Sequence, residues 1–188
     1  MKIVFIDNEF TGVHAFTTLI SVGLVTFEGD SLYVSLNDYD KDQVSGWVKD
    51  NVLNMIDESK SVSSLEACKK VQIFLDNYSK GEKVSLVSAG KMTDIILFFQ
   101  LWHSLHPGKK YFHLSFLPEY LNHGAHYDLN TLFFIAGIDP DIDRAKFAGR
   151  KESNRHHALD DAKIVRECFL KLVKDETFSK RSLKDVLL

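Results

Sequence analysis

The sequence predicts an α/β domain, a mixed sheet carrying helices on its faces. Two observations point there. The first 36 residues are a succession of β-like runs joined by short turns, and the rest is dominated by apolar residues at three- and four-residue spacing. A further β-like run, at 83–88, interrupts the helical part. The resulting order is β-β-β-α-α-β-α, then mostly helix.

Each element has its own warrant. Residues 2–6 are rich in β-branched residues and phenylalanine and predict a buried strand. Residues 19–27 form a second such run. Glu28, Gly29 and Asp30 then make a short acidic turn into an alternating third run, 31–36. A turn of that kind makes a hairpin, so the three strands form an antiparallel meander. Residues 42–51 and 61–78 carry helical spacing. In the second helix Leu65, Cys68, Val71, Phe74, Leu75 and Tyr78 mark one apolar stripe. Residues 93–104 predict a largely buried helix and 127–136 another. The last long helix is expected over 156–174, with Ala158, Ala162, Val165, Phe169 and Leu172 on one face.

With three prolines and no linker or repeat, 188 residues suit one domain, 1–188, large enough to bury a core unaided. The opening apolar run is too short for a secretory signal and turns acidic at Asp7, and no run approaches membrane-helix length, so a cytoplasmic, membrane-free protein is expected. Cys68 and Cys168 lie a hundred positions apart with no metal-ligand spacing, and are expected as reduced thiols packed in helices. The net charge of −3 speaks against gripping long duplexes by phosphate neutralisation. It leaves open an enzyme that holds a few nucleotides with the help of bound cations.

Acidic residues stand in three places where a solvated surface does not need them. Asp7 and Glu9 close the first strand, and side chains two apart on a strand share a face. Two like charges so placed repel unless a cation lies between them, and Mg²⁺ or Mn²⁺ prefers oxygen ligands. Asp94 opens an otherwise apolar helix. His156 and His157 precede Asp160 and Asp161 where the last helix begins. Taken singly each has an ordinary explanation: a strand reaching water, or acidic residues complementing a helix N-terminus.

Their joint appearance, in this order, resembles the DEDDh exonucleases. The first motif of that family is D-x-E followed by Thr-Gly, matched by Asp7, Glu9, Thr11 and Gly12. The third is H-x4-D within H-x-A-L-x-D-A, matched by His156, Ala158, Leu159, Asp161 and Ala162. The second motif matches less well, since Gly90 and Thr93 stand where the family often has an asparagine and an aromatic, although Asp94 is in place. The stretch 19–25 looks like the family's second strand. The stretch 47–53 looks like the small bacterial and phage exoribonucleases related to RNase AS.

This resemblance implies a ribonuclease H-like fold: a mixed five-stranded sheet, its first three strands antiparallel, flanked by helices. It implies two Mg²⁺ or Mn²⁺ ions held by Asp7, Glu9, Asp94 and Asp161, with His156 as general base. Hydrolysis then releases nucleoside 5′-monophosphates from the 3′ end of single-stranded RNA or DNA, with RNA favoured. Thr11 and Gly12 are expected to meet the terminal nucleotide through their backbone amides, and Phe10 to wedge against a base or to pack in the core. A homodimer is implied by the same analogy. His157 is expected as a bystander rather than a second base and Asp160 as a capping charge rather than a metal ligand. Trp47 and Trp102 are expected to pack rather than to serve as stacking platforms. The competing expectation is a non-catalytic nucleic-acid-binding module on the same scaffold.

Overall fold

In the structure, a computed structural model, residues 2–90, 92–150 and 156–174 are described. Lys91 and Arg155, which flank the second and third motifs, lie outside them. Strands β1 (Lys2–Phe10), β2 (Leu19–Thr26) and β3 (Ser31–Ser35) form the expected antiparallel meander. The β2–β3 turn is closed by the Thr26 hydroxyl, which accepts from the N–H groups of Gly29 and Asp30 at 3.1 and 3.0 Å.

The helix expected over 42–51 is instead split. A 3-10 turn at Lys41–Gln43 is followed by an extended Val44, and α1 covers only Gly46–Asn51. The break lies where Ser45 caps α1, its hydroxyl accepting from the Val48 N–H at 3.2 Å. Helix α2 (Ser64–Ser79) buries Ala67, Cys68, Val71, Leu75 and Ser79. Leu65, expected in that stripe, sits in the first turn at the margin of the buried arc and is exposed.

Strand β4 (Val84–Ser88) lies parallel to β1. Helix α3 (Met92–Gln100) tightens into a 3-10 segment at Leu101–Leu105. The segment expected as one helix over 127–136 begins as strand β5 (Tyr127–Asp128), parallel to β4, and continues as α4 (Leu129–Ala136). Asp128 explains the switch. As N-cap its backbone is extended, so it can end a ladder, while its carboxylate accepts from the Thr131 N–H at 2.9 Å. Helices α5 (Arg144–Ala148) and α6 (Ala158–Lys174) complete the order.

The sheet is thus mixed and five-stranded, in the order β3-β2-β1-β4-β5, with helices packed on both faces. Alternation along β1 sends Val4, Ile6 and Phe10 into one core with α2 and α3, and Phe5 into the other with α4 and α6. The two cysteines lie one in each core, and burial pushes their thiols up to about 11 for Cys68 and about 12 for Cys168. Among the described residues no helix is long and apolar enough to cross a membrane.

Candidate active site

β1 and β4 run parallel at the middle of the sheet, so their C-terminal ends share an edge. From β1 the chain turns back into β2 on one side, while β4 leads towards β5 on the other. Connections that diverge in this way leave a crevice beyond the strand ends. The cleft here, about 290 Å³, is lined by Asp7, Glu9 and Phe10 from the end of β1, Ala89 from the end of β4, Asp94 from α3, Trp47 from α1, and His156 and Asp161 at the start of α6.

The strand register decides how close α6 can come. Gly23 stands opposite Asp7 on the neighbouring strand. A β-carbon there would lie 2.2 Å from the Ala158 carbonyl oxygen and 2.4 Å from the Leu159 nitrogen. The first turn of α6 therefore rests directly on the backbone of β2, an approach only glycine permits. Arg166, two turns along, holds the helix to the end of β2 by donating to the Thr26 and Phe27 carbonyls at 2.8–3.2 Å. The register of β1 against β2 shifts between Glu9 and Phe10.

These constraints bring one carboxylate oxygen each from Asp7, Glu9 and Asp161 within 4.8 Å of one another. Asp94, 2% exposed, lines the same cleft but falls outside that tight group. The Asp7 carboxyl titrates well above the usual carboxylate range. Desolvation is the largest cause, and the charges of Asp94, Asp161 and Glu9 push the same way; Arg144 opposes them. Three carboxylates so close, one of them resisting ionisation, could hold a divalent cation, whose charge would favour that ionisation.

The two histidines part company. His156 lines the cleft with a left-handed backbone, φ 69°, and its N–H donates to Asp161 Oδ2 at 2.9 Å. Its ring meets the Trp47 indole edge-on, with centroids 4.8 Å apart. His157 stacks on Tyr33 at 4.4 Å, and its Nδ1 lies 3.6 Å from Asp160, beyond hydrogen-bond reach.

Other expectations meet a mixed outcome. Phe10 packs in the α2–α3 core, one of the two expectations for it, and also lines the cleft. The Thr11 and Gly12 amides are already engaged, donating to the Thr18 carbonyl and the Thr17 hydroxyl at 3.0 Å each. The Thr11 side chain is fully buried and donates to Gln43 Oε1 at 2.7 Å. In this conformation those two residues shape the loop, their amides engaged within it. Trp102 is packed as expected, 1% exposed, whereas Trp47 is 55% exposed at the cleft mouth, so packing does not account for it. His103, His106 and His113 gather around the Phe116 ring rather than around one another's nitrogens.

Asn8 and Arg144 were not singled out by the sequence. Asn8 is buried on the opposite face of β1 from Asp7 and donates to the Asp94 carbonyl at 2.6 Å, tying α3 to the strand. A polar residue between two acids at the end of an apolar strand was the available signal. Arg144 had none, because it joins the site only through the packing of α5 on α6. No known protein family matches the chain, and no curated protein matches it, so the motif matches rest on the residues themselves.

Proposed function

We propose that the chain is a metal-dependent 3′→5′ exonuclease of the DEDDh kind on a ribonuclease H-like scaffold, acting on single-stranded nucleic acid and favouring RNA. The observation that carries this reading is the meeting of Asp7, Glu9 and Asp161 within 4.8 Å in a cleft that also holds His156 and Asp94. Residues from β1, α3 and α6, distant in sequence, converge on that one cleft.

Asp7, Glu9 and Asp161 would hold the metal, with Asp94 completing the acidic wall for a second ion. Bound divalent cations supply an acidified water and neutralise charge developing at phosphorus and on the leaving 3′ oxygen. His156 would accept the proton of the attacking water on a ring nitrogen, histidine being the side chain most often used as a general base. Trp47 limits the swing of that ring by its edge-on contact. Phe10 offers an apolar surface at the cleft floor for a base. The preference for RNA rests on the likeness of 47–53 to the RNase AS group.

The test uses matched single-stranded RNA and DNA oligomers, labelled at the 5′ end, with Mg²⁺ or Mn²⁺. The expected result is a ladder of shortened products, faster for RNA, with a 3′-blocked oligomer resisting. Internal cutting of a circular single strand would overturn the exonuclease assignment.

A further inference from the structure

Arg144 is the only lysine or arginine among the described residues that line the cleft, and the reading above gives it no task. It is the first residue of α5 and is half-buried. Its guanidinium donates from Nη1 to Asn130 Oδ1 at 3.4 Å, a long bond. Among the described residues no carboxylate lies within 4.0 Å of it to form an ion pair. Its field nonetheless reaches the acidic cluster, since its charge eases the ionisation of Asp7.

A cation whose only task was to neutralise the acids would be expected to pair with one of them. Arg144 is held near the cluster but apart from it, with most of its five donors uncommitted to described side chains. Its backbone is well fixed. Cys168 Sγ donates to the Arg144 carbonyl at 3.3 Å, Arg150 forks onto Glu167 at 2.6 and 2.7 Å, and Lys171 donates to the Phe147 carbonyl at 2.7 Å. All three contacts tie α5 to α6, the helix that carries Asp161, so the guanidinium and the carboxylates share one frame.

We propose that Arg144 binds the non-bridging oxygens of the phosphate at which the strand is cut, gripping the group that becomes the 5′-phosphate of the released nucleotide. A planar guanidinium matches two phosphate oxygens at once, which an ammonium cannot do. This rests on the exonuclease reading. The cations then answer the carboxylates and Arg144 answers the phosphate.

The test compares Arg144→Gln and Arg144→Lys with wild type in three measurements. Calorimetry with Mn²⁺ present should show adenosine 5′-monophosphate binding weakened about tenfold or more in both variants, because one loses the charge and the other the fork. Turnover of a single-stranded oligomer should fall on the order of 10²-fold in Arg144→Gln, the scale of losing one transition-state donor. Mn²⁺ affinity and melting temperature should hold in both, the former rising if anything in Arg144→Gln, where a repelling cation has gone. Wild-type nucleotide affinity and turnover in both variants would overturn the proposal. So would parallel losses of melting temperature and Mn²⁺ affinity in both, which would mark Arg144 as a structural prop. A wild-type protein showing neither metal-dependent cleavage nor metal-dependent nucleotide binding would remove the exonuclease reading and this inference with it.

Discussion

The two faces of β1 alternate residue by residue yet end differently. Towards α2 and α3 the strand presents Val4, Ile6, Asn8 and Phe10, all buried to the last position. Towards α6 it presents Ile3 and Phe5 and then changes to Asp7 and Glu9. The one polar residue on the first face, Asn8, donates to a backbone carbonyl and so stays inside. The acids on the second face gather like charge instead, and desolvation drives the Asp7 carboxyl upwards. The first face is closed almost wholly by the protein, although the Asn8 amide oxygen is buried without a described partner, whereas the second gathers acids that a cation could bridge. A strand can therefore pack as core along one face and gather acids at the end of the other.

The largest effect should come from removing a charge on the α6 side. Asp7→Asn should cut turnover on the order of 10³-fold, as loss of a ligand to the reacting centre would, and abolish Mn²⁺ binding by calorimetry. Its effect on folding should have the opposite sign. A carboxyl whose folded pKa is raised favours folding below its unfolded value of about 3.9, and that favour is lost as pH rises through the folded pKa. Metal-free wild type should accordingly lose melting temperature as pH climbs from acid towards neutral, less so in Asp7→Asn, and Mn²⁺ should restore it. Equal pH slopes in the two proteins would break the contrast between the faces.

Next comes the pair at the start of α6. His156→Ala should slow turnover by about 10²- to 10⁴-fold, the range for loss of a general base, with Mn²⁺ affinity nearly intact. His157→Ala should leave turnover near wild type and cost about 1 kcal/mol of stability from its ring contact with Tyr33. Oligomer degradation and thermal melts of the two variants separate the roles, and the reverse pattern would exchange them.

Gly23→Ala tests the seat of the helix. Its β-carbon would meet the Ala158 carbonyl at 2.2 Å, so α6 must lift or β2 must bend, at a cost of about 1–3 kcal/mol. Since Asp161 rides on that turn, Mn²⁺ affinity should fall with stability, and calorimetry beside melting curves reads both. Asn8→Ala, on the face of β1 towards α3, should have a small effect on catalysis. It leaves the Asp94 carbonyl without that donor and should cost about 1–3 kcal/mol in melting experiments, with Mn²⁺ affinity changing little.

Much of this was legible in one dimension. The period-two and helical patterns located β1 to β4, α2 and α6, because each buries one face continuously over several turns or pleats. β5 escaped because two residues carry no period, and because the chain around Asp128 turns from strand to helix within one residue. The split before α1 escaped for a similar reason: a serine cap overrides apolar spacing too short to insist on itself. Of the site, Asp7, Glu9, Asp94, His156 and Asp161 were found by spacing and by likeness. Trp47 was assigned to packing, since sequence does not distinguish a buried indole from one at a cleft mouth.

By itself the sequence determined the alternation of β1 that puts Asp7 and Glu9 on one side, the length of α6, and the placing of His156 and Asp161 at its start. Those are consequences of backbone geometry over neighbouring residues. Only the tertiary structure decided that α6 seats on Gly23 opposite Asp7, that His156 enters the cleft while His157 turns to Tyr33, and that Arg144 lines the cleft from a helix pinned to α6. Each of these depends on which atoms fill space between elements far apart in the chain. Close packing settles that across the whole domain at once, and no local pattern carries it.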